Sequence, residues 1–107
     1  MSSDAFQPSG NGVSLNTSTT SASIQMPAVS PCVVITNRSQ SSAWVTWDPH
    51  SPPTAVFPAS GNTTGTWGME IAPMSQVTVG TGRNYLYFAA ILSSGTGVMT
   101  FVPGDGL

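Results

Sequence analysis

The sequence predicts an all-β chain: a small antiparallel β-sandwich, jelly-roll-like, of about seven or eight strands with an extended N-terminal arm. Three observations point there. Helix formers are scarce, with one Glu, no Lys and only four Leu in 107 residues. Nine prolines and eleven glycines punctuate the chain, which breaks helices and makes turns. Between them lie short β-branched, aromatic or alternating runs at regular spacing, the pattern of small all-β domains.

In chain order, the stretch 1–20 is Ser, Thr, Asn and Gly with few large apolar side chains. It reads either as a frayed terminus or as an arm lying on a neighbouring subunit. The sandwich domain then spans 21–107. Ala22-Ser23-Ile24-Gln25-Met26 alternates, placing Ala22, Ile24 and Met26 on one face. Cys32-Val33-Val34-Ile35-Thr36 is a buried-type run, and Ala43-Trp44-Val45-Thr46-Trp47 follows it. Thr54-Ala55-Val56-Phe57 is a short candidate strand between prolines. Trp67–Ile71 and Gln76–Val79 come next. Tyr85–Leu92 is the longest run, and Gly97–Val102 the last.

The last two runs are apolar on both faces. Leu86, Phe88, Ala90 and Leu92 alternate with Tyr85, Tyr87, Ala89 and Ile91, and Met99 and Phe101 alternate with Val98 and Val102. A strand in a two-sheet sandwich needs only one buried face. The second face must meet a loop, the N-terminal arm or another chain. Ser93–Gly97 can join the two runs as a hairpin, which would present an apolar, partly aromatic outer face.

Only six residues carry charge: Asp4, Arg38, Asp48, Glu70, Arg83 and Asp105. An ordinary soluble domain has about a quarter of its residues charged. Charge keeps small proteins apart, and lysine protects exposed strand edges. Here Ser and Thr, at 29 positions, solvate the surface without charging it. Such a chain is expected to associate with copies of itself or with a larger surface. Two distant arginines do not make a nucleic-acid site, which needs clustered cations against phosphate. No apolar run approaches the roughly 18–20 residues of a spanning helix, so no membrane role is expected. Residues 1–12 lack both the basic stretch and the apolar core of a signal peptide. With Cys32 as the sole cysteine, no intramolecular disulfide can form, and synthesis in a cytoplasm is the simplest expectation.

Catalytic chemistry finds little to work with. A zinc site needs three or four Cys, His or carboxylate ligands, and the one compact set is Asp48-Pro49-His50. Cys32, His50 and Asp48 could be drawn as a triad, but a thiol in an apolar run is ordinarily inert packing. No cofactor, metal or catalytic residue is expected, and the chain is not read as an enzyme. Gly80-Thr81-Gly82-Arg83-Asn84 begins like a phosphate loop, but Tyr85 stands where the dinucleotide fingerprint needs glycine. Glycosylation-type triplets start at Asn16, Asn37 and Asn62, as chance allows in so Ser/Thr-rich a chain. Trp44, Trp47 and Trp67 could stack on sugars, although Trp44 and Trp47, three apart, fall on opposite strand faces. The candidate interface residues are Trp44, Trp47, Trp67, Tyr85, Tyr87, Ile91, Met99 and Phe101.

Ala89-Ala90-Ile91-Leu92-Ser93-Ser94-Gly95-Thr96-Gly97 followed by Val102-Pro103-Gly104-Asp105-Gly106 resembles the end of a group of small virion proteins of tailed bacteriophages. Asn37-Arg38-Ser39 to Ala43-Trp44-Val45 is similar to their middle, so the resemblance spans about residues 20–107. It implies a β-rich capsid decoration (cement) protein or a related head or tail accessory. The implied partners are the major capsid protein and the chain itself, as a homotrimer at three-fold positions. The implied location is the capsid surface of the virion, after synthesis in the bacterial host cytoplasm. The alternative expectation is a tail, fibre or adhesin-type β-sandwich module binding host glycan.

Overall fold

The computed structural model describes residues 6–61, 63–82 and 87–105. They form nine strands: β1 (Gln7–Pro8), β2 (Val13–Thr17), β3 (Ala22–Gln25), β4 (Cys32–Asn37), β5 (Ala43–Asp48), β6 (Met69–Ile71), β7 (Ser75–Gly80), β8 (Tyr87–Leu92) and β9 (Gly97–Asp105). No helix occurs among the described residues. Sheet one has the order β1-β9-β4-β7, with β2 also paired to β9. Sheet two has the order β3-β8-β5-β6. Every pairing is antiparallel. The predicted all-β sandwich is the observed fold.

The period of two decides what is buried. In β2, Val13, Leu15 and Thr17 turn inward and Ser14 and Asn16 outward. Val33 and Ile35 of β4, Val45 of β5, Ile71 of β6 and Val79 of β7 meet Phe88, Leu92, Met99 and Phe101 between the sheets. Phe88 of sheet two and Phe101 of sheet one have ring centroids 5.3 Å apart. Each such side chain contributes about 1.5–3 kcal/mol on burial.

The structure departs from the sequence reading in four places. β1 and β2 lie within the stretch 1–20 and pair along β9 of the same chain, Val13 opposite Phe101 and Leu15 opposite Met99. The alternation of Val13, Leu15 and Thr17 supplies the inward face. Phe6 adds to the hold, because its ring lies where a Cβ on Gly104 would be. Second, β8 and β9 belong to different sheets. The connection 93–96 is therefore an arch between layers, not a hairpin. Met99 and Phe101 are fully buried in the core and are not an interface. Third, Thr54–Phe57 is not a strand. Pro52, Pro53 and Pro58 flank it without N–H groups of their own, so a ladder could not extend past either end, and its Ala55 N–H is given to Ser21 Oγ at 2.8 Å. Fourth, the run at 67–71 becomes a strand only from Met69, since Gly68 has φ +139°.

Candidate functional site

Ionisable chemistry is dispersed. Cys32 is buried in β4 of sheet one, between Gly80 and Gly104 in register, whereas His50 follows β5 of sheet two. Asp48 is occupied locally: its Oδ1 accepts the backbone N–H of His50 at 2.8 Å and of Ser51 at 3.0 Å. These two bonds hold its carboxyl below the ordinary aspartate range. Among the described residues, no three of His, Cys, Asp and Glu gather where a metal could sit. Asn37 is fully buried, so its glycosylation-type triplet is spent on structure. Asn62, Arg83 and Tyr85 lie outside the described residues.

The outer face of sheet one presents regular rows of side chains. The register sets Ser14, Thr100, Thr36 and Gln76 in one row across four strands. Val102, Val34 and Thr78 form the next row. Gln76 Nε2 donates to Thr36 Oγ1 at 2.8 Å, tying the row laterally. Hydroxyl, amide and β-branched side chains thus alternate with no charge among them. Arg38, which follows β4 at the end of this face, is the first charged residue met.

The outer face of sheet two is partly closed by the chain itself. Segment 52–57 lies over it: Ala55 N–H donates to Ser21 Oγ at 2.8 Å, and Ala55 and Ala89 are both buried. Of the three partners the sequence left open for the second face of β8, a loop takes this part. An open groove of about 580 Å³ remains beside it, lined by Thr20, Ser21, Ser23, Pro53, Thr54 and Ile91. Tyr87 and Ile91 are half-buried on this face.

An aromatic corner closes the β6 side. Trp47 points inward, 5.6 Å from Phe88, and meets Trp67 edge-on at 4.8 Å and 75°. Trp44 points outward, 6.1 Å from Phe57, and its Nε1–H donates to the Trp67 carbonyl at 3.3 Å. The opposite-face reading of Trp44 and Trp47 is correct. Trp67 nevertheless touches both, because its loop wraps the sheet edge. Gly68 permits that approach: a Cβ there would collide with the Val45 carbonyl and crowd Trp44 Nε1. Thr66 Oγ1 donates to Val56 O at 2.9 Å and fastens the loop further. Trp67 remains 58% exposed. No local pattern in the sequence predicts this gathering, which depends on a loop folding back across two strands.

No protein-family description, curated protein or solved structure matches this chain.

Proposed function

We propose that the protein is a structural virion component, a decoration (cement) protein that binds the outside of a phage head and strengthens contacts between capsomers. The observation that carries this reading is the uncharged outer face of sheet one, with its rows of Thr, Ser, Gln and Val. A broad face of this kind loses little on desolvation, since no ion must be stripped of water. Its hydroxyls can form hydrogen bonds at the rim of a contact. Only six charges in the whole chain leave little to repel a neighbouring copy. Trimers at three-fold positions would turn individually weak contacts into a strong sum.

The test is co-sedimentation with expanded phage heads. Wild-type protein is expected to pellet with heads, and Thr100→Lys to lose about 100-fold or more in affinity while keeping its fold. An unpartnered charge in a buried contact costs several kcal/mol. Absence of wild-type binding sinks the capsid reading. Unchanged binding by Thr100→Lys removes this face from it.

One observation favours a second reading, a module that binds host glycan. Trp67 presents an indole ring propped by Trp47, and such a ring can stack on the apolar face of a sugar. Binding on a glycan array that disappears in Trp67→Ala, with heads left unbound, would move the assignment to this class.

A further inference from the structure

We propose that β7 is a docking edge for a second copy of this chain, joined antiparallel about a two-fold axis with Thr78 opposite Thr78. The inference uses only this chain and does not depend on the capsid reading.

The sheet edges are not alike: β1 and β2 lie in succession along one side of β9, β7 closes the other side of sheet one, and β3 and β6 flank sheet two. β6 has three residues and carries Glu70. β1 has two residues, begins opposite Asp105 and ends on Pro8. β2 has five residues without charge or proline, but it turns through 18–21 into β3 of the other sheet and packs beside it. β3 has four residues, and Ser21 just before it is bonded to segment 52–57. Short strands, charge, proline and covering loops are the usual protections of an edge. β7 has none of them. It runs six residues, Ser75–Gly80, without charge or proline, and pairs one-to-one with Cys32–Asn37 without a bulge. Among the described residues β4 is its sole partner in the sheet.

Two hydrogen bonds establish which backbone groups the edge offers. Thr81 N–H donates to Pro31 O at 2.7 Å, and Arg38 N–H donates to Val98 O at 3.0 Å. Antiparallel pairs alternate between bonded and non-bonded positions. The first bond assigns residues 31, 33, 35 and 37 to β7, and the second assigns 32, 34, 36 and 38 to β9. The two agree. Ser75, Val77 and Val79 therefore spend their backbone groups on β4. Gln76, Thr78 and Gly80 point theirs away from the sheet, and all three are exposed.

These three positions are self-complementary. With Thr78 on a two-fold axis, Gln76 stands opposite Gly80 of the second copy, and Gly80 opposite its Gln76. All three offered N–H and C=O pairs on each chain are then satisfied. The same register sets Val77 against Val79 on the core side, so the apolar layer continues across the junction. It covers Val77, which faces the core yet is only half-buried. Thr78 meets Thr78 on the outer face, a favourable cross-strand pair. Gly80 has open space around it where a side chain would project, so it does not obstruct the approach. No like charges meet anywhere along the strand.

The test reads register as well as mass. In a bonded antiparallel pair, facing Cα atoms are about 5.5 Å apart, within disulfide range. Thr78→Cys is expected to cross-link to a dimer on mild oxidation, well above the wild-type background from buried Cys32. Gln76→Cys alone is expected not to, since its counterpart lies about 13 Å along the strand. An equal mixture of Gln76→Cys and Gly80→Cys should cross-link. Equal cross-linking by Gln76→Cys alone, or none by Thr78→Cys, overturns the proposal. Thr78→Pro removes an N–H that β4 does not use, and edge strands accept proline there. Light scattering should show wild-type protein reaching, with rising concentration, twice the mass of the Thr78→Pro variant. Equal masses at every concentration overturn the proposal too.

Discussion

Replacing Asn37 by Ala is expected to lower the melting temperature by about 15 °C, through a loss of about 3 kcal/mol. Asn37 is fully buried at the end of β4, and its amide serves as a junction. Nδ2 donates to Ser41 O at 2.9 Å and to Ile71 O and Ala72 O, both at 3.2 Å. Oδ1 accepts from Ser39 N at 3.0 Å and from Ser39 Oγ at 2.7 Å. One side chain thus holds the 38–42 turn and clamps the end of β6 in sheet two to β4 in sheet one. Alanine leaves several of these groups buried without partners, and each orphan costs about 1–3 kcal/mol. Asn37→Asp is the sharper variant. It keeps shape and acceptor oxygens but turns a carboxylate oxygen toward three carbonyls that need a donor. It is expected to be at least as destabilising as alanine. Ser39→Ala removes one donor and should cost clearly less. Thermal melts followed by far-UV circular dichroism check all three. A shift of only a few degrees for Asn37→Asp would show that the junction is not what holds the layers in place.

The strands of the sandwich are legible where the pattern is dense in β-branched residues. β4 and β7 stand out as Cys32–Thr36 and Gln76–Val79, and the structure extends each by a residue or two. β2 shows the opposite case. Its Val13, Leu15 and Thr17 alternate inward, but Ser14, Asn16 and the Ser/Thr around them make the composition that of an arm. Periodicity was the better guide there, because burial follows which side a residue faces rather than how polar its neighbours are. The connection 93–96 illustrates what a sequence leaves open. Ser-Ser-Gly-Thr can turn a hairpin within one sheet or arch between two, and only the pairing of β8 with β3 and β5, and of β9 with β2 and β4, decides it. The surfaces are less legible still. Trp67 reaches Trp44 and Trp47 through a loop closure between positions about twenty residues apart in the chain. The free edge of β7 follows from strand order, which local residues do not encode. Asn37, within a glycosylation-type triplet, reveals its structural role only when the carbonyls of residues 71 and 72 arrive beside it.

Phe101→Ala separates a core from an interface at the position where the two readings differ most. Phe101 is completely buried, stands in register with Val13 on one side and Ile35 on the other, and packs against Phe88 at 5.3 Å. Truncating such a ring costs about 3–5 kcal/mol, the lost transfer energy plus the cavity left behind. Domains of this size hold only about 5–15 kcal/mol in all. The variant is therefore expected to lose about a fifth or more of its stability, and urea denaturation should show the midpoint falling steeply with the slope unchanged. Phe101→Leu keeps most of the volume and should lose clearly less. Ile91, half-buried beside the groove of sheet two, should lose less again on truncation to Ala. The ordering distinguishes the roles because a core residue changes the stability of every copy, at every protein concentration. An interface residue changes the midpoint only where copies are associated, so its effect fades on dilution. A Phe101→Ala midpoint that is near wild type in dilute solution and drops only in concentrated solution would return this ring to an interface. It would also require the two sheets to be held together by something other than the Phe88–Phe101 contact.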